Sequence, residues 1–350
     1  MGPPVLQQSM EIQRNEKGER NMNLGFSLLA VAILVLIAVL GVGLGGLYTI
    51  FAVVIPYAAF AIFLLGTIYR ILEWAGTPVP FRIPTTCGQQ KSLPWIKANP
   101  LESPPNTAGV VGRMALEVLL FRSLFRNTKV ELRGERPLYG GAKWLWLAGL
   151  VFHWSFLFIV LRHLRFFFEP VPWSVNMLAS LDGLFEIGVP TLYLTDVAIL
   201  LGVSYLFLRR VVIPQMRYIS LPSDYFPLLL IVGVALSGIL TRFFYKVDLL
   251  GVKGLSLGWI RFHPVAPEGV GLSFYVHLFL VSVLLAYIPM SKLMHMGGVF
   301  LSPTRNLAND SRRSRHINPW NYPVKVHTYE EYEDEFREKM KAAGLPLEKE

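Results

Sequence analysis

Five long apolar runs, separated by charged or proline-containing segments, constrain this chain more than any other feature. A bilayer core about 30 Å thick is crossed by about 20 helical residues. The first run, 24–72, is too long for one crossing and contains the flexible sequence GVGLGG, so we divide it at 41–46. The other four runs are 144–168, 190–212, 224–245 and 272–296. The pattern predicts an all-α integral membrane protein in which six transmembrane helices form a bundle.

Composition excludes several other classes of protein. Only 16% of the residues are charged and the mean hydropathy is +0.44, whereas soluble domains carry about a quarter charged residues. The net charge of +9 is spread between apolar runs instead of forming one basic stripe, so we expect no nucleic-acid partner. The single cysteine, Cys87, cannot form an internal disulfide or hold an iron–sulfur cluster.

The distribution of lysine and arginine predicts the orientation in the membrane. The segment 73–143 carries ten of them and the tail 297–350 carries nine, whereas 169–189 carries none. We therefore expect 73–143, the tail and the N-terminus 1–23 on the cytoplasmic side of the cell membrane. No cleaved signal is expected, because the first apolar run is too long for a signal-peptide core. Lys246, Lys253 and Arg261 fall on the predicted outer side and conflict in part with this assignment.

Two segments that we expect on the cytoplasmic side differ in composition from the apolar spans. Residues 109–127 space apolar and charged side chains as an amphipathic helix does, which favours either a helix in the membrane interface or a packed helix of a small cytoplasmic subdomain. The tail is polar and aromatic but too short for its own core. We interpret it as a docking arm for a partner, with a disordered tail as the alternative.

Four of the seven histidines lie inside two of the predicted spans, and polar side chains at membrane depth are functional candidates. His153 and His163 are ten residues apart, about 15 Å of helix. His277 and His295 are eighteen apart, which is five helical turns. Because these two spans should be antiparallel, His153 should lie near His295 toward the cytoplasm and His163 near His277 toward the outer face. Two histidines on facing helices can hold one haem iron from both sides, so the pattern predicts an inner and an outer haem.

Other readings of these histidines remain open. Clustered histidines also suit zinc or copper, but four-coordinate zinc needs more ligands at one point than two residues supply, and hydrogen bonds between helices are a further possibility. Haem needs space between helices, for which the spans offer Gly149, Gly202, Gly233 and Gly238. It also needs charge partners for its propionates, for which the candidates are Arg162 and Arg165 near the outer pair and Arg82 and Arg217 near the inner membrane surface.

Several segments resemble the cytochrome b (gamma) subunit of respiratory nitrate reductase. The similar segments are IPYAAFAIFLLGTIYR, LVFHWSFLFIVLRH, LFLRRVVIPQMR and FYVHLFLVSVLLAYIPMSKLMHM, the last with the same histidine spacing. The segment IPTTCGQQKSLPW and the tail SPTRNLANDSRRSRHINPWNYPVKVHTYEEYEDEFR resemble more closely the DsrM/HmeC-type membrane subunit of the Dsr complex, which is associated with sulfite reduction. The resemblance covers most of the chain from about residue 47, and the extra first helix departs from the nitrate reductase pattern.

The resemblance implies a cytochrome b with two haem b groups that oxidises menaquinol near the outer haem. It further implies that electrons leave through the inner haem to a cytoplasmic iron–sulfur subunit like heterodisulfide reductase, of the DsrK type. Further membrane and extracytoplasmic subunits would complete a Dsr complex of sulfur metabolism. A cytochrome of nitrate reductase or heterodisulfide reductase is the alternative within this class. A polytopic transporter or a passive membrane anchor is the alternative from another class.

The predicted outer loop departs from the family. Where the nitrate reductase subunit has a lysine near its quinol, this chain has the carboxylates Asp182 and Glu186 and no Lys or Arg. A carboxylate near the outer haem can accept a quinol proton, so we take both as candidate quinol-side groups, with a solvated loop as the alternative. His263, His316 and His327 lie outside the predicted spans, and we do not expect them to bind haem.

Overall fold

A computed structural model describes residues 3–79, 88–183, 191–312, 323 and 326–349, with 3–21 described as backbone only. Six long helices run through it, and shorter helices join or flank them. The long helices are α1 Pro3–Gly43, α2 Ile55–Gly76, α5 Lys143–His163, α7 Leu194–Val212, α9 Pro222–Phe243 and α11 Leu272–Tyr287. The short ones are α3 Thr107–Leu120, α4 Arg122–Arg126, α6 Trp173–Asp182, α8 Pro214–Ile219, α10 Leu249–Ile260, α12 His295–Leu301 and α13 Tyr329–Ala342.

The helical membrane fold class predicted from the sequence is confirmed. Within the described ranges, five helices are long and apolar enough to cross a membrane: Met22–Gly43, Ile50–Gly76, Lys143–Phe166, Pro222–Phe243 and Leu272–Met290. The remaining predicted span, 190–212, corresponds to α7, which carries Asp196 in its first turn and Arg209 and Arg210 in its last. Because these charges lower its apolar character, the count of six crossings stays a prediction.

The six long helices alternate in direction. Arg162 at the end of α5 contacts Asp196 at the start of α7, and the Tyr225 hydroxyl at the start of α9 donates to the Arg210 carbonyl at the end of α7. We call the end of the bundle that holds Lys143, Ser220 and His295 the inner end, and the end that holds Arg162, Thr195 and Arg242 the outer end. Their placement on the two sides of the membrane rests on the charge distribution.

Two apolar clusters hold the bundle together. One joins α1, α2, α10 and α11 around Phe51, Leu255 and Tyr275, and the other joins α5, α7, α9 and α11 around Val203, Leu230 and Leu280. Apolar side chains also cover the outside of the helices, where Leu65 and Leu36 are 66% and 52% exposed. An apolar outer surface suits contact with lipid tails. Because lipid tails offer no hydrogen bonds, the backbone groups of a spanning segment must be bonded within its helix.

The last predicted span, 272–296, is not one continuous helix. The helix α11 ends at Tyr287, and two 3₁₀ turns, Ile288–Met290 and Lys292–Met294, lead into α12. Pro289 lies in the first of these turns, and proline cannot donate the backbone hydrogen bond that a continuing α-helix needs. His295 therefore begins a new short helix, and its orientation does not follow from counting five turns from His277.

Both predicted outer loops contain helices. The first loop holds α6, and the second holds α10, whose first amides are capped by the Asp248 carboxylate. Lys253 of α10 forms an ion pair with Glu169 of the first loop, so one of the three basic residues that conflict with the charge rule is locally neutralised. The indole of Trp259 donates to the Ala52 carbonyl at 2.9 Å and fixes α10 against the start of α2.

The segment 73–143, which we predicted to be cytoplasmic, contains a β-hairpin that the sequence pattern did not indicate. Strands β1 Thr128–Arg133 and β2 Arg136–Gly141 pair antiparallel, with Thr128 opposite Gly141. The turn includes Gly134 at φ 62°, a conformation that favours glycine. The predicted helix 109–127 is present as α3 and α4, which are separated by a left-handed residue, Phe121, at φ 49°.

Candidate functional site

The structure places the four intramembrane histidines in two pairs. The ring centroids of His153 and His295 are 5.9 Å apart, and those of His163 and His277 are 6.4 Å apart. The first pair joins α5 to the start of α12, and the second joins the end of α5 to the start of α11. These are the two pairs that antiparallel spans predict, whereas their role as haem ligands stays a prediction.

Each of the four imidazoles has its Nδ1 atom engaged in a hydrogen bond. Nδ1 lies 2.7 Å from the Gly149 carbonyl in His153, 2.7 Å from the Ile159 carbonyl in His163 and 2.9 Å from the Lys292 carbonyl in His295. In His277, Nδ1 lies 3.0 Å from the Ser237 hydroxyl. A carbonyl can only accept, so at least three rings carry their proton on Nδ1 and keep a lone pair on Nε2. Metal-binding histidines show this same arrangement.

The pairs have dimensions that fit an iron ion held between two imidazoles. A bond from an imidazole nitrogen to a first-row metal is about 2 Å long, which puts the two ring centroids roughly 6 Å apart. His163 and His295 are exposed residues, whereas His153 and His277 are half-buried. Among the described residues, no three His, Cys, Asp or Glu side chains converge on one point, so zinc lacks its usual ligand set there.

Gly238 and Gly202 provide close approaches in this part of the bundle. A Cβ atom on Gly238 would lie 3.0 Å from Cε1 of His277, and one on Gly202 would lie 3.0 Å from Cβ of Phe152. Gly238 thus leaves room for the His277 ring, and Gly202 lets α7 approach α5. Of the other glycines expected to make space, Gly149 and Gly233 make only ordinary contacts, the nearest atoms to an added Cβ being 3.9 and 3.5 Å away.

Beside the outer pair lies a buried charge cluster that we call the outer cluster: Arg162, Asp182, Asp196, Arg242, Tyr193 and Thr195. Arg162 contacts Asp182 at 3.0 Å and Asp196 at 3.2 Å, and its guanidinium lies 3.6 Å from the centre of the Tyr193 ring. Asp182 also accepts hydrogen bonds from the amide and the hydroxyl of Thr195, at 2.9 and 2.6 Å. The outer cluster therefore ties α5, α6, α7 and α9 together.

Two predicted site residues, Asp182 and Arg162, belong to the outer cluster. The Asp182 side chain is 1% exposed and both of its oxygens are hydrogen-bonded or ion-paired, so it does not lie in a solvated loop and any proton-accepting role would compete with these bonds. Arg162 is equally occupied, although a guanidinium has five donors. Glu186 and Arg82 lie outside the described residues. Arg165 is half-buried just after His163, and Arg217 is half-buried on α8.

Sequence reasoning missed Arg242. It lies at the outer end of α9, donates to the Thr191 carbonyl at 3.2 Å and stacks on Tyr193 at 4.2 Å. Its Nε atom is buried and has no hydrogen-bond partner among the described residues. An unsatisfied cationic donor near the outer pair suits a ligand carboxylate such as a propionate. A charged residue inside an apolar span is itself a signal of function, and that signal applied to both Asp196 and Arg242.

Replacing Arg162 by leucine should destabilise the outer end strongly. The change leaves the carboxylates of Asp182 and Asp196 buried without their shared cation, and breaking a buried ion pair from one side costs about 3–5 kcal/mol. We expect a lower thermal midpoint for detergent-solubilised protein, measured by fluorescence or calorimetry. Arg70→Leu is the matched control, because Arg70 forms an exposed pair with Glu73. Equal stability of the Arg162 and Arg70 variants would contradict the structural role of the outer cluster.

The loop and the first part of the tail pack together beneath the inner pair, and we call residues 88–126 with 302–312 the inner platform. Buried Arg113 donates to the carbonyls of Glu102, Arg305 and Leu307, at 3.0, 2.5 and 3.3 Å. Burial, together with the charge of Arg305, lowers the pKa of Arg113 from its ordinary value. The Asn309 amide donates to the Pro104 carbonyl at 2.7 Å. The helix α3 thus packs against the first part of the tail, and its place in the membrane interface or in a cytoplasmic subdomain stays a prediction.

The inner platform contacts the inner pair directly. The ring of Phe121, at the left-handed corner between α3 and α4, meets the His153 ring edge-on at 4.9 Å. Glu102 pairs with Arg122 and Arg126 next to this corner. The indoles of Trp146 and Trp154 on α5 donate to the carbonyls at the end of α3. The tail and the inner histidines are thus parts of one packed structure.

Residues 114–311 match the nitrate reductase gamma subunit family. The chain belongs to this family. The match includes all four histidines of the two pairs and extends over the inner platform from Met114 onward, so the resemblance read from the sequence is confirmed.

Two relatives of this gamma-family chain are similar over most of their length. The chain is 46% identical over 278 residues to the Hdr-like menaquinol oxidoreductase cytochrome b-like subunit of Archaeoglobus fulgidus. This alignment covers 77% of this chain and 83% of the relative. It is 42% identical over 283 residues to the protein of the same name from Archaeoglobus profundus. This alignment covers 78% of this chain and 83% of the relative. Both relatives are consistent with a DsrM/HmeC-type subunit.

Proposed function

We propose that this gamma-family chain is a dihaem cytochrome b that exchanges electrons between the menaquinone pool and a cytoplasmic iron–sulfur subunit like heterodisulfide reductase. The observation that carries this proposal is the presence of two histidine pairs, about 6 Å between ring centroids, with every Nδ1 hydrogen-bonded. His153 with His295 and His163 with His277 would hold the two haems, which would supply one-electron transfer. The terminal substrate chemistry then belongs to partner subunits.

The residues of the chain orient and shield the two ligand pairs. Backbone carbonyls one helical turn earlier fix the rings of His153 and His163, and Phe121 and Phe152 flank the His153 ring at 4.9 and 5.0 Å. At the outer end, Arg162 and Arg242 place positive charge near His163. The charge of Arg162 is balanced by Asp182 and Asp196, so we favour Arg165 and Arg242 over Arg162 as partners of the outer haem propionates.

The menaquinol part of the proposal is supported by the two Archaeoglobus relatives, which are both named as menaquinol oxidoreductase subunits. We place quinol oxidation at the outer end, near His163 and His277, and keep Asp182 and Glu186 as candidate proton acceptors. Ion pairing with Arg162 and hydrogen bonds from Thr195 hold the Asp182 carboxylate in place. A Dsr-type complex in dissimilatory sulfur metabolism, with a DsrK-type partner, is the specific assignment that we favour over a nitrate reductase or heterodisulfide reductase cytochrome.

An absorption spectrum and a haem assay test this function. We expect membranes that contain the protein to show reduced b-type bands, two haems per chain after purification, and reduction by a menaquinol analogue. A transporter or passive anchor would show none of these signals in haem-sufficient cells, and that result would sink the cytochrome proposal. The copurifying cytoplasmic subunit separates the alternatives: an Hdr-like iron–sulfur protein supports our assignment, whereas a nitrate reductase subunit contradicts it.

Replacing the other three histidines should leave the haem content unchanged. His263 is exposed in the loop after α10, His327 lies 4.0 Å from Glu335 in the tail, and His316 lies outside the described residues. None of the described contacts links His263 or His327 to either pair. Alanine variants should give the wild-type pyridine haemochrome yield. Loss of a b-type haem in any of them would mean that the ligands are wrongly assigned.

A further inference from the structure

One of the four histidines is held differently from the others. His153, His163 and His295 meet a carbonyl three or four residues earlier in their own chain segment. His277 instead meets the side chain of Ser237, which belongs to a different helix, α9. The orientation of His277 therefore depends on how α9 packs against α11, on the Ser237 hydroxyl and on the Val234 carbonyl of the same helix, with which His277 also forms a hydrogen bond.

The Ser237 hydroxyl has a defined direction. It lies 3.0 Å from the Val234 carbonyl, to which it donates its single proton. It must then act as the acceptor at 3.0 Å from Nδ1 of His277, because a hydroxyl has only one proton to give. The proton between them thus resides on Nδ1 of His277, and Nε2 keeps its lone pair, as in the other three rings.

The next residue completes this arrangement. Gly238 faces the same imidazole, and a Cβ atom there would lie 3.0 Å from Cε1 and 3.4 Å from Nδ1. Ser237 fixes one edge of the ring while Gly238 leaves room for the other. Two adjacent residues of α9, Ser237 and Gly238, thus position the His277 ring.

We propose that Ser237 is a positioning residue that sets the reduction potential of the outer centre through its hydrogen bond to His277. This inference rests on the proposed function. An acceptor on Nδ1 makes an imidazole a stronger donor to its metal and favours the oxidised ion. Loss of the hydroxyl should weaken His277 as a ligand and raise the potential of the outer centre. The inner centre, whose acceptors are all backbone carbonyls, should not change.

The test compares Ser237→Ala with Ser237→Thr in the full complex, by redox titration of the two b-type components. Removing such a partner typically changes metal-site properties by 10–100-fold. We expect at least about a tenfold change in the one-electron equilibrium constant of the outer component, equivalent to about 59 mV, with the inner component unchanged. The threonine variant keeps the hydroxyl and should titrate close to wild type.

Ser282→Ala is the matched control. Ser282 is a buried serine on α11, five residues after His277, whose hydroxyl donates to the Leu278 carbonyl at 2.8 Å and contacts no histidine in the described structure. It should leave both potentials unchanged. An unchanged outer potential with normal haem content in Ser237→Ala would overturn the inference, as would an equal shift of both components. Absence of haem from the wild-type protein would instead overturn the proposed function.

Discussion

Replacing His153 by alanine is expected to remove one b-type haem and to leave the second in place. Each pair is separate, since His153 and His163 are ten residues apart on α5, about 15 Å along the helix axis. His295→Ala should give the same spectrum as His153→Ala, because both rings belong to the inner pair. His163→Ala and His277→Ala should together define the other component. The measurement is a haem assay with a low-temperature spectrum of each purified variant.

The same set of variants tests the pairing of the four histidines. If His153→Ala and His277→Ala abolished the same spectral component, the pairs seen in the structure would not be the ligand pairs. Loss of both haems from every variant would point to a folding defect instead, and the thermal midpoint of each variant distinguishes that outcome. His263→Ala serves as the control for replacing a histidine outside the bundle.

The pairs were predictable because topology alone brings them together. Antiparallel spans place His153 opposite His295 and His163 opposite His277, and neither placement depends on helix geometry in detail. The argument from five exact turns was wrong in its detail, since α11 stops at Tyr287 and 3₁₀ turns around Pro289 lead to His295. Local backbone breaks of this kind depend on tertiary packing, which residue spacing does not show.

The polar contacts around the outer pair were less predictable. Arg162, Asp182 and Asp196 come from α5, α6 and α7, and a sequence does not show which buried charges of different helices meet. The same limit applies to Ser237, because a serine in an apolar span usually bonds its own helix backbone, as Ser282 does. The departure from the nitrate reductase pattern indicated Asp182 as a candidate quinol-side group, with a solvated loop as the alternative, whereas the structure buries Asp182 within an ion-pair network.

The contacts within the inner platform show which part of the tail packs against the rest of the chain. Arg113 is 3% exposed and uses the carbonyls of Arg305 and Leu307 as acceptors, and Glu117 pairs with Arg305 at 3.6 Å. Deleting everything after Leu301 would leave these buried groups without partners, at about 1–3 kcal/mol for each unsatisfied group. A truncation after Arg312 keeps all these contacts and removes only the distal tail.

The distal tail has the chemistry of a docking element. Its helix α13 begins with a capping box between Thr328 and Glu331 and carries the acidic sequence EEYEDEF. Glu333 is buried and accepts from the amides of Glu348 and Lys349, at 2.7 and 3.1 Å, so the last residues fold back on the helix. Tyr332 and Phe336 form an aromatic pair at 4.8 Å, and Tyr332 is 48% exposed. Exposed aromatic residues are enriched in binding surfaces.

Truncation after Arg312 should therefore retain both haems and their reduction by quinol but lose the cytoplasmic iron–sulfur subunit on purification. The double variant Tyr332→Ala and Phe336→Ala should weaken the same association in the full-length chain, while Lys339→Gln with Lys341→Gln, on the last turn of the helix, serves as the control. Truncation after Leu301 should also lower the thermal midpoint, because it removes the acceptors of Arg113. If the chain truncated after Arg312 still copurified with the iron–sulfur subunit in the normal ratio and reduced it at the full rate, the inner platform alone would be the docking surface.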